Sequence, residues 1–149
     1  MTVQFRHSGR AEIKHINARK EGPDEDKSLA VDLKLQVRTG IEVLDGFEPL
    51  LRGVLFLDSG AVRNEMMDAV RFKNRLEHYR IDMLGSSFFA CRLGKFAVEP
   101  LDGYEIRVHF TASFSPSGDE VARIAEYLLD EVELVIEPES GELDLDGEE

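Results

Sequence analysis

The chain has 149 residues, 42% hydrophobic and 32% charged, with one cysteine and a formal net charge of −12. That composition belongs to a folded domain with one core rather than to a disordered chain, and one cysteine permits no internal disulfide. No run approaches the ~18 apolar residues of a membrane span, and Met1–Arg6 lacks the apolar stretch of a secretory leader, so the expectation is a cytoplasmic protein without membrane contact.

The strand signals come first in chain order. Ala11–Lys20 is expected to pair with the alternating segment Leu29, Val31, Leu33, Leu35, Val37, across a solvated loop at Glu21-Gly22-Pro23-Asp24-Glu25-Asp26. Ile41, Val43, Leu44, Phe47, Leu50 and Leu51 predict a short broken helix, interrupted by Pro49 and Gly53. Residues 62–70 carry no decisive period. Glu77–Leu84, with Tyr79, Ile81 and Met83 inward, and Phe88–Val98 predict a hairpin turning at Gly85-Ser86-Ser87. Tyr104, Ile106, Val108, Phe110, Ala112 and Phe114 form the apolar face of a further strand.

Ser117-Gly118-Asp119-Glu120 has the form of a capping box, in which a Ser hydroxyl and a Glu carboxylate satisfy each other's backbone amides. Behind it, Val121, Ile124, Ala125, Leu128 and Leu129 share one helical face. Val132, Leu134 and Ile136 predict a last strand closed by Pro138. The fold expected is mainly β, an antiparallel β-sandwich or small barrel with one amphipathic helix in the C-terminal half. Residues 1–138 form a single β-rich domain and 139–149 an acidic disordered tail in this reading.

Charge is distributed unevenly. Residues 99–149 hold 16 acids against two bases, Arg107 and Arg123, whereas residues 1–98 carry a net charge of about +2. Two features of that pattern point to binding. Arg71, Phe72, Lys73, Arg75, Tyr79 and Arg80 interleave cations with rings, a mixture that neutralises phosphates and stacks on unpaired bases. Arg19 and Lys20 extend the same candidate surface. The competing reading places Tyr79 and Phe72 in the core. The second feature is the tail acids Glu139, Glu142, Asp144, Asp146, Glu148 and Glu149, suited to a basic partner or to covering a basic groove, and equally to solubility alone.

Catalytic patterns are not found. His7, His15, His78 and His109 have no metal-ligand spacing, and neither G-x-S-x-G, a P-loop nor G-x-G-x-x-G occurs. Cys91, alternating with Phe89 and Leu93, reads as a buried core thiol. The expectations are no metal, no cofactor and no enzymatic activity. Thirty acids guarantee accidental carboxylate pairs, so their number argues for no reaction.

Lys14–Glu21, Asp24-Glu25-Asp26, Ala30–Leu35, Val43–Phe47, Leu50-Leu51-Arg52, Lys95–Pro100 and Glu131–Pro138, read together, resemble small β-rich proteins of tailed phages and prophages. Residues 59–70 depart from that pattern. The resemblance implies a phage context and a β-rich fold, and it transfers no active-site residue. The reading that follows is a non-enzymatic, phage-type single-stranded DNA-binding or recombination accessory protein. The alternative is an acidic effector, of DNA-mimic or anti-defence type, that occupies a basic surface of a phage or host protein.

Overall fold

The computed structural model describes residues 4–139. Among the described residues there are seven strands: β1 (His7–Glu21), β2 (Ser28–Gly40), β3 (Val70–Phe72), β4 (Leu76–Met83), β5 (Ser86–Leu101), β6 (Glu105–Phe114) and β7 (Glu131–Pro138). The sheet order is β3-β5-β4-β7-β1-β2-β6, and β5 also pairs with β6. Six strands therefore close into an antiparallel barrel, β5-β4-β7-β1-β2-β6, which removes exposed sheet edges. The β3 strand lies outside that ring and continues the line of β4 along the same edge of β5.

Alternation fills the interior. Val31, Leu33, Leu35 and Val37 of β2 and Ile106, Val108, Phe110, Ala112 and Phe114 of β6 are all buried. One end is packed by Phe5, Phe47, Phe96 and Phe110, whose neighbouring rings lie 5.0–6.2 Å apart at tilted, edge-on or stacked angles. A 3₁₀ turn at Ile41–Gly46 and helix α1 (Leu51–Leu55) give the expected broken helix. Gly46 is required because a Cβ there would meet the Gln4 carbonyl, whose own N–H donates to Gly46 O (2.9 Å). Helix α2 (Gly118–Ala125) begins with the complete capping box of Ser117 and Glu120.

The expected pattern breaks at bulges. One residue is inserted at Lys14 in β1, at His78 in β4, and at Ala90 and Lys95 in β5. The last three have φ of 62°, 56° and 55°, a left-handed backbone that non-glycine residues adopt only under tertiary constraint. Each insertion shifts the inward phase, so β5 buries Phe88, then Cys91 and Leu93, then Phe96. Phe89 therefore does not share the inner face with Cys91. It is 59% exposed.

Three further expectations are corrected. The β4–β5 turn is tighter than expected: Met83 pairs with Ser86, leaving Leu84 and Gly85 at φ 53° and 81° as a two-residue turn of the type that matches strand twist. Tyr104 leaves the strand alternation, and its hydroxyl donates to the Leu57 and Asp58 carbonyls instead. Helix α2 stops at Ala125, and Leu128 and Leu129 are exposed, because Leu129 at φ 70° turns the chain and donates its N–H to Ile13 O (2.7 Å).

Candidate nucleic-acid interface

A cleft of about 470 Å³ lies on the outer wall of the barrel. Its floor follows from strand register. Arg92, Ser113, Asp32 and Asn17 are directly opposed on β5, β6, β2 and β1, and Gly94, Thr111, Lys34 and His15 form the next row. Both rows occupy outward positions, because the residues between them fill the core. Polar alternation on four neighbouring strands thus becomes one continuous polar surface.

Asp32 is the hub of the first row. It accepts from Arg19 twice (2.9 and 3.1 Å), from the Ser113 hydroxyl (2.7 Å) and from the Asn17 amide (3.4 Å). The Arg19 hydrogen bonds, opposed by partial burial and aided by Ser113 and Asn17, lower its carboxyl to about 2. Asp32 is thereby a weak proton acceptor and a fixed counter-charge. Arg19 also meets Glu21, and Arg92 lies 3.6 Å from Glu21.

The remaining cations are not matched in this way. Lys34, Arg75 and Lys95 line the cleft, and none has a carboxylate within ion-pair distance among the described residues. Their convergence is a backbone result. The β3 and β4 strands run end to end beside β5, and the gap between them, Lys73-Asn74-Arg75, falls opposite the Gly94–Lys95 bulge. The Arg75 stem crosses at Gly94, where a Cβ would lie in ordinary contact, 3.7 Å from Arg75 Cγ. Counting its lining alone, the cleft has five cations, Arg19, Lys34, Arg75, Arg92 and Lys95, against the two carboxylates Asp32 and Glu77.

Of the residues expected from sequence to form a nucleic-acid surface, Arg19 and Arg75 come together in this cleft. Arg71 and Lys73 are exposed on the approach to Arg75 and are not part of the lining. Lys20 is exposed near the β1–β2 tip, on the opposite side of β1 from Arg19. Arg80 is committed to Glu137 (2.9 Å) and Asp82 (3.5 Å). Tyr79 is a core residue and offers no stacking face: it is 3% exposed, and its hydroxyl accepts the Phe5 N–H (3.0 Å). Phe72 packs on Phe47, with ring centroids 4.8 Å apart.

Sequence reasoning missed Lys34, Arg92 and Lys95 as members of this set. Lys34 was visible as an outward residue of an alternating strand, but its neighbours are set by β2–β6 pairing, which no local pattern encodes. Glu139 accepts from the Ala90 N–H, while Glu142, Asp144, Asp146, Glu148 and Glu149 lie outside the described residues.

The other chemistry-bearing groups are accounted for structurally. Burial pushes the Cys91 thiol up to about 12, so it is held as a thiol. Glu99 accepts from His109 (2.9 Å) and Arg107 (3.0 Å), which hold its carboxyl below the ordinary range. Among the described residues there is no group of three His, Cys, Asp or Glu side chains able to hold a metal ion, and no helix long and apolar enough to cross a membrane. The chain matches no protein-family model, and it has no significant match among curated proteins or solved structures.

Proposed function

We propose that the chain binds single-stranded DNA through this cleft, without catalysis, as a DNA-binding or recombination accessory protein of phage type. The observation that carries the reading is the convergence of Lys34, Arg75 and Lys95, without described acid partners, in a chain whose net charge is −12. Unpaired cations are costly to cluster, and a phosphodiester strand supplies the missing counter-charge while releasing its own condensed ions. The Thr111 hydroxyl, the Asn17 amide and His15 add hydrogen-bonding groups at the same surface. The set is small and confined to one cleft, which suits one phosphate strand better than two backbones spanning a groove. Labelled oligothymidylate tests it: affinity should be measurable at low salt and fall steeply as salt rises. No binding at low salt, with or without residues 139–149, would contradict the reading.

A second reading, an acidic module for a basic phage or host protein, draws on Asp119, Glu126 and Asp130, on and just after α2, which have no described cation partner. These acids would steer a basic surface toward that end of the barrel. A stoichiometric basic protein, released by salt from chain that fails to bind oligothymidylate, would favour it.

A further inference from the structure

We infer that Phe89 is a stacking platform for an unpaired nucleobase, set beside the cationic cleft. The inference deepens the proposed function and rests on it. Simple alternation would bury Phe89 with Cys91 and Leu93. Instead the chain inserts Ala90 at φ 56°, and Phe88 takes the inward place, packing on Phe114 with centroids 4.6 Å apart. A large ring is thereby held outside at the expense of a strained backbone, with the Ala90 N–H fixed by the Glu139 carboxylate. Phe89 is 59% exposed and has no aromatic partner among the described residues.

Its position gives the exposed ring a ligand class. Arg92, which lines the cleft, is three residues further along β5, so the Ala90 bulge keeps the two backbones within about 10 Å of each other. A strand whose phosphates meet Lys95 and Arg75 and that follows β5 past Arg92 reaches Phe89. Every nucleobase has an apolar π-face that a phenyl ring can cover, and that face is free only when the base is unpaired. Single-stranded nucleic acid carries one phosphate and one flat ring in every nucleotide, and that regular pairing fits cations set beside an exposed phenyl ring. The platform also distinguishes single strands from duplex, whose bases are already stacked on one another.

The chain contains no tryptophan, so Phe89→Trp introduces a sole indole reporter at the site. The full-length variant is titrated with oligothymidylate and, separately, with inorganic polyphosphate, which has charge without bases. Quenching by the oligonucleotide alone, and an approximately tenfold loss of oligonucleotide affinity in Phe89→Ala with polyphosphate affinity unchanged, are expected. Salt-sensitive oligonucleotide binding with an unquenched indole and undiminished affinity in Phe89→Ala would overturn the platform while leaving the cleft reading intact. Failure of the unsubstituted chain to bind oligothymidylate would remove both. Because Phe89 lies outside the core, thermal melts of both variants should match the parent, and they check that any loss is not unfolding.

Discussion

Asp32 ties three strands together at a single carboxylate, through Arg19 and Asn17 on β1 and Ser113 on β6. Its carboxyl is lowered from an ordinary 3.8 to about 2, chiefly by Arg19. The unfolded chain therefore takes up a proton at a pH where the folded carboxylate still refuses it. The stability this contributes is present above the ordinary value and lost as pH falls through about 2; for a group in partial contact with solvent it amounts to about 1 kcal/mol. Acid unfolding of Asp32→Asn should show a shallower loss across that window than the parent, and identical pH slopes would contradict the hub. Tyr79 makes a different case. Tyr79→Phe strands the buried Phe5 N–H and should cost about 1–3 kcal/mol while leaving oligonucleotide affinity unchanged; a specific loss of affinity would restore Tyr79 to the interface.

Among the elements, the bulges decide which side chains reach the cleft. Lys95 lies in the left-handed region and closes the β5 bulge opposite Arg75. Glycine adopts that backbone freely, so Lys95→Gly should keep the melting temperature or raise stability by up to about 1 kcal/mol, although the cation is gone. Oligonucleotide affinity should fall at the same time, and a variant that lost stability and affinity together would place the lysine in the fold rather than in the interface. The bulges also explain what the sequence could and could not convey. Strands β2 and β6, uninterrupted by bulges, were legible from alternation alone, as was the Ser117 capping box. Phe89 was misread because one inserted residue reverses the phase of everything beyond it. The tight Leu84-Gly85 turn carried a single glycine as its signal. Arg75 was legible as a candidate, but its partners Lys34 and Lys95 arrive from sequence-distant strands, and barrel closure brings them together.

Over the whole molecule, half of the 18 lysines and arginines lie within ion-pair distance of a described carboxylate and half do not. Arg10, Arg19, Arg38, Arg52, Arg80 and Arg107 each face a described carboxylate, so they add little to any external field. The unpaired half includes Lys34, Arg75 and Lys95 in the cleft, in a chain that is acidic overall. β7 leads into Glu139, whose N–H donates to His78 O (2.8 Å), next to Glu77 of the cleft lining. Five further acids follow between 140 and 149. The expectation that these acids cover a basic groove makes them tethered competitors of phosphate. Truncation after Pro138 should therefore tighten oligonucleotide binding and weaken with salt in its effect; an unchanged or reduced affinity would show that these acids do not oppose binding.

The central claim is that phosphates are met by Lys34, Arg75 and Lys95. The most direct test is the dependence of oligothymidylate affinity on salt, compared between the parent chain and the triple variant Lys34→Ala, Arg75→Ala, Lys95→Gly. Each lost phosphate contact on a single strand should reduce the slope of log affinity against log salt by about 0.7, so the triple variant should lose about two units of slope along with most of its low-salt affinity. A folded triple variant that retains the parent's slope and affinity would place the binding surface, if there is one, elsewhere on the barrel.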